Sequence, residues 1–104
     1  EVESWVLADR EAFSRFASVS IDLVPRQPDL LPDAKQGLFK VVRRGRKRSI
    51  RDAILPSGQT ASHGPDYNGT LTSFVLNDWS IDRAKANSPS LQRACEAFDS
   101  FTYP

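Results

Sequence analysis

Three prolines within eight residues, Pro25, Pro28 and Pro32, set the first limit on how this chain folds. Each removes a backbone donor, fixes its own φ and biases the residue before it away from the helical region. No regular element is expected across residues 25–36, which read as a stiff connection between a short N-terminal block and a longer C-terminal one. With 104 residues in all, the two blocks are expected to share one hydrophobic core, in a single domain over residues 1–104.

In the N-terminal block, Trp5, Ala8, Ala12, Phe13 and Phe16 recur at spacings of three and four, which predicts one helix with Ser4 as its N-cap and Asp9 and Glu11 in its earlier half. From Ser18 to Val24 the period changes to two, with Val19, Ile21 and Leu23 on one side, the pattern of a strand with one wet face. After the prolines, the run Leu38 to Val42 has the β-branched and aromatic content of a second strand. Residues 50–55 fit either a short strand or a helical turn, and residues 56–69, PSGQTASHGPDYNG, read as a flexible loop. Thr70 to Leu76 returns to strand composition, and Trp79 and Ile81 are expected to anchor the segment after it. The closing helix has the strongest signals: Ser88 as cap, Pro89 at the first position, and an apolar face of Leu91, Ala94, Cys95, Phe98 and Phe101. The expected fold is therefore α+β, a small antiparallel sheet of three or four strands flanked by an N-terminal and a C-terminal helix.

Charge is distributed unevenly. Seven of the fourteen basic residues, Lys40, Arg43, Arg44, Arg46, Lys47, Arg48 and Arg51, fall in one segment without an acidic residue, expected to be a basic hairpin or loop at 40–51. The rest of the chain carries seven basic against thirteen acidic residues, so a net charge of +1 hides a cationic stripe on an acidic body. Five of the seven cations are arginine, whose planar fork suits bidentate phosphate contacts and base stacking. Aromatic partners for stacking would be Phe39, Phe74 and Tyr67. The first two read more readily as core, which leaves Tyr67 as the one expected to be exposed. A solvated loop or a short nuclear-address motif is the plainer account of RRGRKR, and Ser49 beside it is a phosphorylation candidate.

The other chemistry is thin. Cys95 and His63 are single, which excludes an internal disulfide and a four-ligand zinc site of Cys and His. His63 with Ser62 and Asp66 holds triad residue types in one loop, where such groups rarely share a centre, and Cys95 reads as a small core residue. Neither a Walker loop nor a dinucleotide fingerprint is present, and the carboxylates Asp78, Asp82, Glu96 and Asp99 show no spacing that singles out a metal or an acid/base pair. No enzyme, cofactor or metal is expected. The apolar share of 39% and charged share of 26% argue against disorder and against a membrane protein. Cysteine usage points to an intracellular setting, cytoplasmic or nuclear, and the acceptor triplet Asn68-Gly69-Thr70 is taken as chance. The chain starts at Glu1 without a leader pattern, which suits an excised piece of a larger parent protein as well as a processed product.

The helix, sheet, helix order, with the string GPDYNGTLTSFVLND followed by Arg83, Lys85 and a closing helix, resembles the element order of double-stranded-RNA-binding domains. The lysine cluster such domains carry at the start of their last helix is missing, so the likeness is one of order alone. The leading expectation is a non-enzymatic nucleic-acid-binding domain, RNA favoured over DNA, with Lys40, Arg43, Arg44, Arg46, Lys47, Arg48, Arg51 and Tyr67 as contacts. The alternative is a protein-interaction or self-assembly module, coat- or matrix-like, in which the acidic body of one copy attracts the basic loop of the next as a homo-oligomer. A membrane surface is the weakest candidate partner.

Overall fold

Helix begins almost at once and then breaks. The computed structural model describes residues 2–58 and 61–102, and its first two elements are α1 (Val2–Ala8) and α2 (Arg10–Ala17), separated at Asp9. Asp9, rather than Ser4, is the cap: its carboxylate accepts from the Ala12 backbone N–H at 3.2 Å, while Ser4 lies buried inside α1. The single long helix expected here is thus two short ones, because a side-chain acceptor at Asp9 replaces an intrahelical bond.

The expected strand at residues 18–24 does not form. Ser18 takes the left-handed conformation, with φ 58° and ψ 53°, and closes α2 by donating its backbone N–H to Arg15 O. A short 3₁₀ turn, Ile21–Leu23, follows, capped by Ser20. The carbonyls of Ile21 and Val24 are taken by the Arg10 guanidinium at 2.9 and 3.1 Å, so the segment is held by a side chain instead of a neighbouring strand. A left-handed serine costs about 1–2 kcal/mol relative to glycine at such a position. Ser18→Gly is therefore expected to raise stability by about 0.5–1 kcal/mol after the extra freedom of the unfolded chain is subtracted. Urea unfolding checks this, and an unchanged or lowered midpoint would show that the serine hydroxyl itself holds the turn.

Within the proline segment, Pro28–Leu30 forms a second 3₁₀ turn, and α3 (Ala34–Arg43) starts before the expected end of that segment, capped by Asp33 through Gln36 N–H at 3.1 Å. This helix occupies the place of the second expected strand. Leu38, Phe39, Val41 and Val42 are all buried, and their spacing of one, three and four fits one helical face as well as it fits a strand. The ambiguous residues after the basic turn are helical, α4 (Arg48–Ile54). The loop expected over 56–69 ends early: Gly64 and Asp66 donate to Ile54 O and Ala53 O, and α5 (Tyr67–Asn77) replaces the third expected strand. Tyr67, Leu71 and Phe74 form its buried face. The expected loop residues 59 and 60 lie outside the described residues.

The C-terminal part is α6 (Ile81–Asn87), capped by Ser80, and α7 (Pro89–Thr102), whose Leu91 N–H donates to Ser88 Oγ at 3.2 Å as the sequence predicts. Trp79 anchors this region through a hydrogen bond to Trp5 O at 3.0 Å, but Ile81 is exposed. The apolar face of α7 is covered best at its start: Leu91 is buried, Cys95 half-buried, and Phe98 and Phe101 are 68% and 89% exposed.

Every described element is thus helical and no strand occurs among the described residues, which overturns the α+β expectation and with it the likeness in element order to double-stranded-RNA-binding domains. The result is a small helical globule. Its main core gathers Leu7, Phe13, Val24, Leu38, Phe39, Val42, Ile54 and Phe74, with Phe13 meeting Phe74 edge to face at 5.6 Å. A smaller cluster of Ala8, Ala84 and Leu91, bordered by Trp5 and Trp79, joins α1 to α6 and α7. Two carboxylates knit these layers together. Asp9 accepts from Ser80 N–H and from the Arg83 guanidinium, and Asp29 accepts from Ser88 Oγ and Ser90 N–H at the start of α7.

Candidate nucleic-acid interface

The basic residues sit on a helix, turn, helix unit and not on a hairpin. Lys40 and Arg43 lie in the last turn of α3, where positive charge complements the helix dipole. Arg44, Gly45, Arg46 and Lys47 form the link, and Arg48 and Arg51 belong to α4. Gly45 decides the shape of that link. It is buried against the end of α2, and a Cβ there would stand 1.9 Å from Ala17 O and 3.1 Å from Val42 O, so only glycine lets the two backbones approach. Arg46 N–H donates to Ser18 O at 3.3 Å, and the Arg51 guanidinium donates to Gly45 O. The turn is tied to the end of α2 at two points and to α4 at a third, while the side chains of Arg44, Arg46 and Lys47 are exposed.

Lys40, Arg43, Arg44, Arg46, Lys47 and Arg48 are exposed, and Arg51 is half-buried by its bond to Gly45. Among the described residues only Arg48 of this group forms an ion pair, to Asp52 at 3.5 Å, with both side chains largely in water. An exposed pair of this kind is worth a few tenths of a kcal/mol and yields readily to a stronger anion. The body's interior carboxylates are committed elsewhere. Burial pushes the Asp9 carboxyl up, but hydrogen bonds from Arg83 and from the Ser80 and Ala12 amides outweigh it and hold the group below its ordinary range. Asp29 is held low in the same way, burial being outweighed by Ser90 N–H, Ser88 and the more distant charge of Arg93. Neither turns toward the basic segment, so the cationic surface is not cancelled from within.

Tyr67 is a different matter. It is 6% exposed, donates its hydroxyl to Glu3 at 2.7 Å, and has the His63 ring stacked at 5.2 Å and Lys35 Nζ over its face. The expected exposure of Tyr67 is not found, because α5 turns it inward onto Phe39 as the first residue of its buried face. Phe39 and Phe74 are core residues, at 1% and 2% exposure. None of the three aromatics considered for stacking reaches the surface.

The remaining chemistry is dispersed. His63 contacts Gly64 O and the Tyr67 ring, while Asp66 takes the Thr70 hydroxyl at 3.1 Å. Cys95 is half-buried beside the small cluster on α7. No metal-ligand group of three or more His, Cys, Asp and Glu occurs among the described residues, and among these no helix is long and apolar enough to cross a membrane. An apolar cleft of about 420 Å³ between α1 and α5, lined by Val2, Val6, Leu71 and Val75, carries the Glu3 carboxylate and no cation, which disqualifies it as a seat for a polyanion.

Two clefts do border the basic segment. One of about 220 Å³ places Lys40 and Arg44 beside Leu23, Pro25 and Leu31. The other, about 490 Å³ and mostly polar, lies between Arg46 and Lys47 on one side and Ser14, Arg15, Ser18 and Ser20 on the other. Arg15 had no signal in the sequence as a functional residue. It lies on α2, far in sequence from residues 40–51, and is brought to the basic turn only by the way α2 ends against Gly45. No protein-family model, curated protein or solved structure matches this chain.

Proposed function

We propose that this chain is a non-enzymatic nucleic-acid-binding domain that grips the sugar–phosphate backbone with the segment from Lys40 to Arg51. One observation supports the reading above the others: seven cations sit on a clamped helix, turn, helix unit, and only one of them is paired with a carboxylate among the described residues.

Burial of Tyr67, Phe39 and Phe74 changes the kind of ligand. A reader of single strands needs exposed rings beside its cations, and the exposed rings Phe98 and Phe101 lie on α7 rather than in the basic segment; phosphate contacts alone suit a duplex, with its higher charge density. A double-stranded ligand is therefore the expectation, with RNA as the first probe and DNA beside it. Binding by phosphate contact fixes position and carries little base specificity.

The test is binding of a labelled RNA duplex, DNA duplex and single strand over a salt series, for the wild type and for Arg46, Lys47 and Arg48 changed together to alanine. Five phosphate contacts on duplex DNA would give a logarithmic salt slope of about −4.5, and removing three cations should reduce its size by about 2.7. The triple variant should bind at least tenfold more weakly at low salt and unfold at an unchanged temperature. Failure of the wild type to bind any of the three ligands would end this reading. The assembly alternative has its own support in Phe101 and Leu30, 89% and 74% exposed, and a concentration-dependent mass without nucleic-acid binding would establish it instead.

A further inference from the structure

We infer that the polar cleft between the end of α2 and the basic turn is the seat of one phosphate group, and that Arg15 is its third cation. The inference rests on the proposed binding of nucleic acid and adds to it a specific site and a residue outside the basic segment. Arg15, Arg46 and Lys47 all line this open cleft, so cations from two separate elements border one space. Among the described residues none of the three has an ion-pair partner, and all three are exposed. Ser18 and Ser20 line the cleft as well, and the Ser20 hydroxyl, which accepts from Asp22 N–H, keeps its own proton to donate. Three charged donors with hydroxyls between them are the donor set that phosphate oxygens accept from, with the guanidinium groups able to contact two oxygens each.

The end of α2 would ordinarily repel an anion, since its last carbonyls carry partial negative charge. Here the backbone N–H groups of Ser18 and Val19 occupy Arg15 O and Ser14 O, at 3.3 and 3.0 Å, which reduces that repulsion. The walls are also held in place before any ligand arrives. Gly45 packs on Ala17 O and Arg46 N–H bonds to Ser18 O, joining the two sides of the cleft through backbone. With the backbone already fixed, binding has to order only the side chains, whereas cations on a mobile loop would need the backbone ordered too. One phosphate in this cleft sets the register of the duplex against α3 and α4.

The experiment compares Arg15→Gln, Arg15→Lys and the control Arg93→Gln with the wild type, on the same duplexes over the same salt series. Arg93 is an exposed cation on α7, a helix that packs on α6 and takes no part in the cleft. Removing one phosphate contact should make the salt slope smaller by about 0.9 and weaken binding roughly five- to tenfold at low salt, without regard to sequence. Arg15→Lys should restore the slope while recovering only part of the affinity, because a point charge replaces a fork. Arg93→Gln should match the wild type. If Arg15→Gln behaves like Arg93→Gln while the triple alanine variant still loses affinity, the seat is wrong and the broader reading stands. If the wild type binds no duplex, both fall. Unfolding temperatures within a degree or two of wild type confirm that Arg15→Gln reports on binding and not on α2.

Discussion

Asp9→Ala is expected to remove about 3–5 kcal/mol of folding stability, a large part of the roughly 5–15 kcal/mol that a domain of this size has. The side chain is fully buried and does three things at once. It caps α2 through Ala12 N–H, receives Ser80 N–H at 2.7 Å, and holds Arg83 through both nitrogens of its fork at 2.9 and 3.0 Å. Alanine leaves the Ala12 and Ser80 amides without their side-chain acceptor, while Arg83 keeps Asp78 O at 3.2 Å and the Glu11 carboxylate at 3.9 Å. Arg83 is 42% exposed and recovers some hydration, which is why the upper end of the range is not exceeded. Asp9→Asn keeps one carbonyl acceptor but turns an amide NH₂ toward donors, so it should fall between wild type and alanine. Urea unfolding of the three proteins gives the order, and a cost below about 1 kcal/mol for alanine would show that the network is not structural.

The same carboxylate sets a pH dependence. The folded protein holds Asp9 and Asp29 below their ordinary value of 3.8, so each is a stronger acid folded than unfolded. Their contribution is complete above 3.8 and is lost as pH falls below it through the folded values. Wild-type stability should therefore decline in that acid window, and the Asp9→Ala protein should decline less steeply. Parallel curves would mean that Asp9 is not the group responsible.

Gly45→Ala is expected to cost about 3 kcal/mol and to weaken nucleic-acid binding as well, because it acts at the clamp of the basic turn. A methyl group at 1.9 Å from Ala17 O cannot be absorbed by a side chain rotating away, since the obstacle is backbone. The turn has to lift from α2, which breaks the bond from Arg46 N–H to Ser18 O and separates the two walls of the cleft. Gly58→Ala is the matched control. Gly58 has φ +84° and open space within 4 Å of where a Cβ would stand, so alanine there meets only the conformational penalty, about 1 kcal/mol. Equal costs for the two variants would show that the turn is not clamped. A larger cost for Gly45→Ala with unchanged duplex binding would separate the clamp from the function.

Several features of this molecule were readable from residue types. Ser88 and Pro89 opened a helix as capping chemistry requires, Phe39 and Phe74 went to the core, and the arginine-rich segment emerged at the surface, where desolvation of so many like charges would otherwise be prohibitive. The helix or strand choice was not readable in the middle of the chain. Leu38, Phe39, Val41 and Val42, and likewise Leu71, Phe74 and Val75, satisfy both periodicities, and β-branched composition tipped the reading toward strands. What tipped the structure the other way was Asp33 capping α3 and a core reached equally well by helical faces.

What the sequence alone determined is therefore local and compositional: where the last helix starts, that the prolines keep long helices out of residues 25–32, that Phe39 and Phe74 leave water and where positive charge accumulates. Only the tertiary structure decided the rest. It turned Tyr67 inward, split the first helix at Asp9 so that one carboxylate could serve α2, Ser80 and Arg83, and carried Arg15 across to Arg46 and Lys47. The physical reason is common to all three. Each depends on contacts between residues far apart in the chain, whose energies appear only after the backbone has folded and which leave no pattern in the order of neighbouring residues.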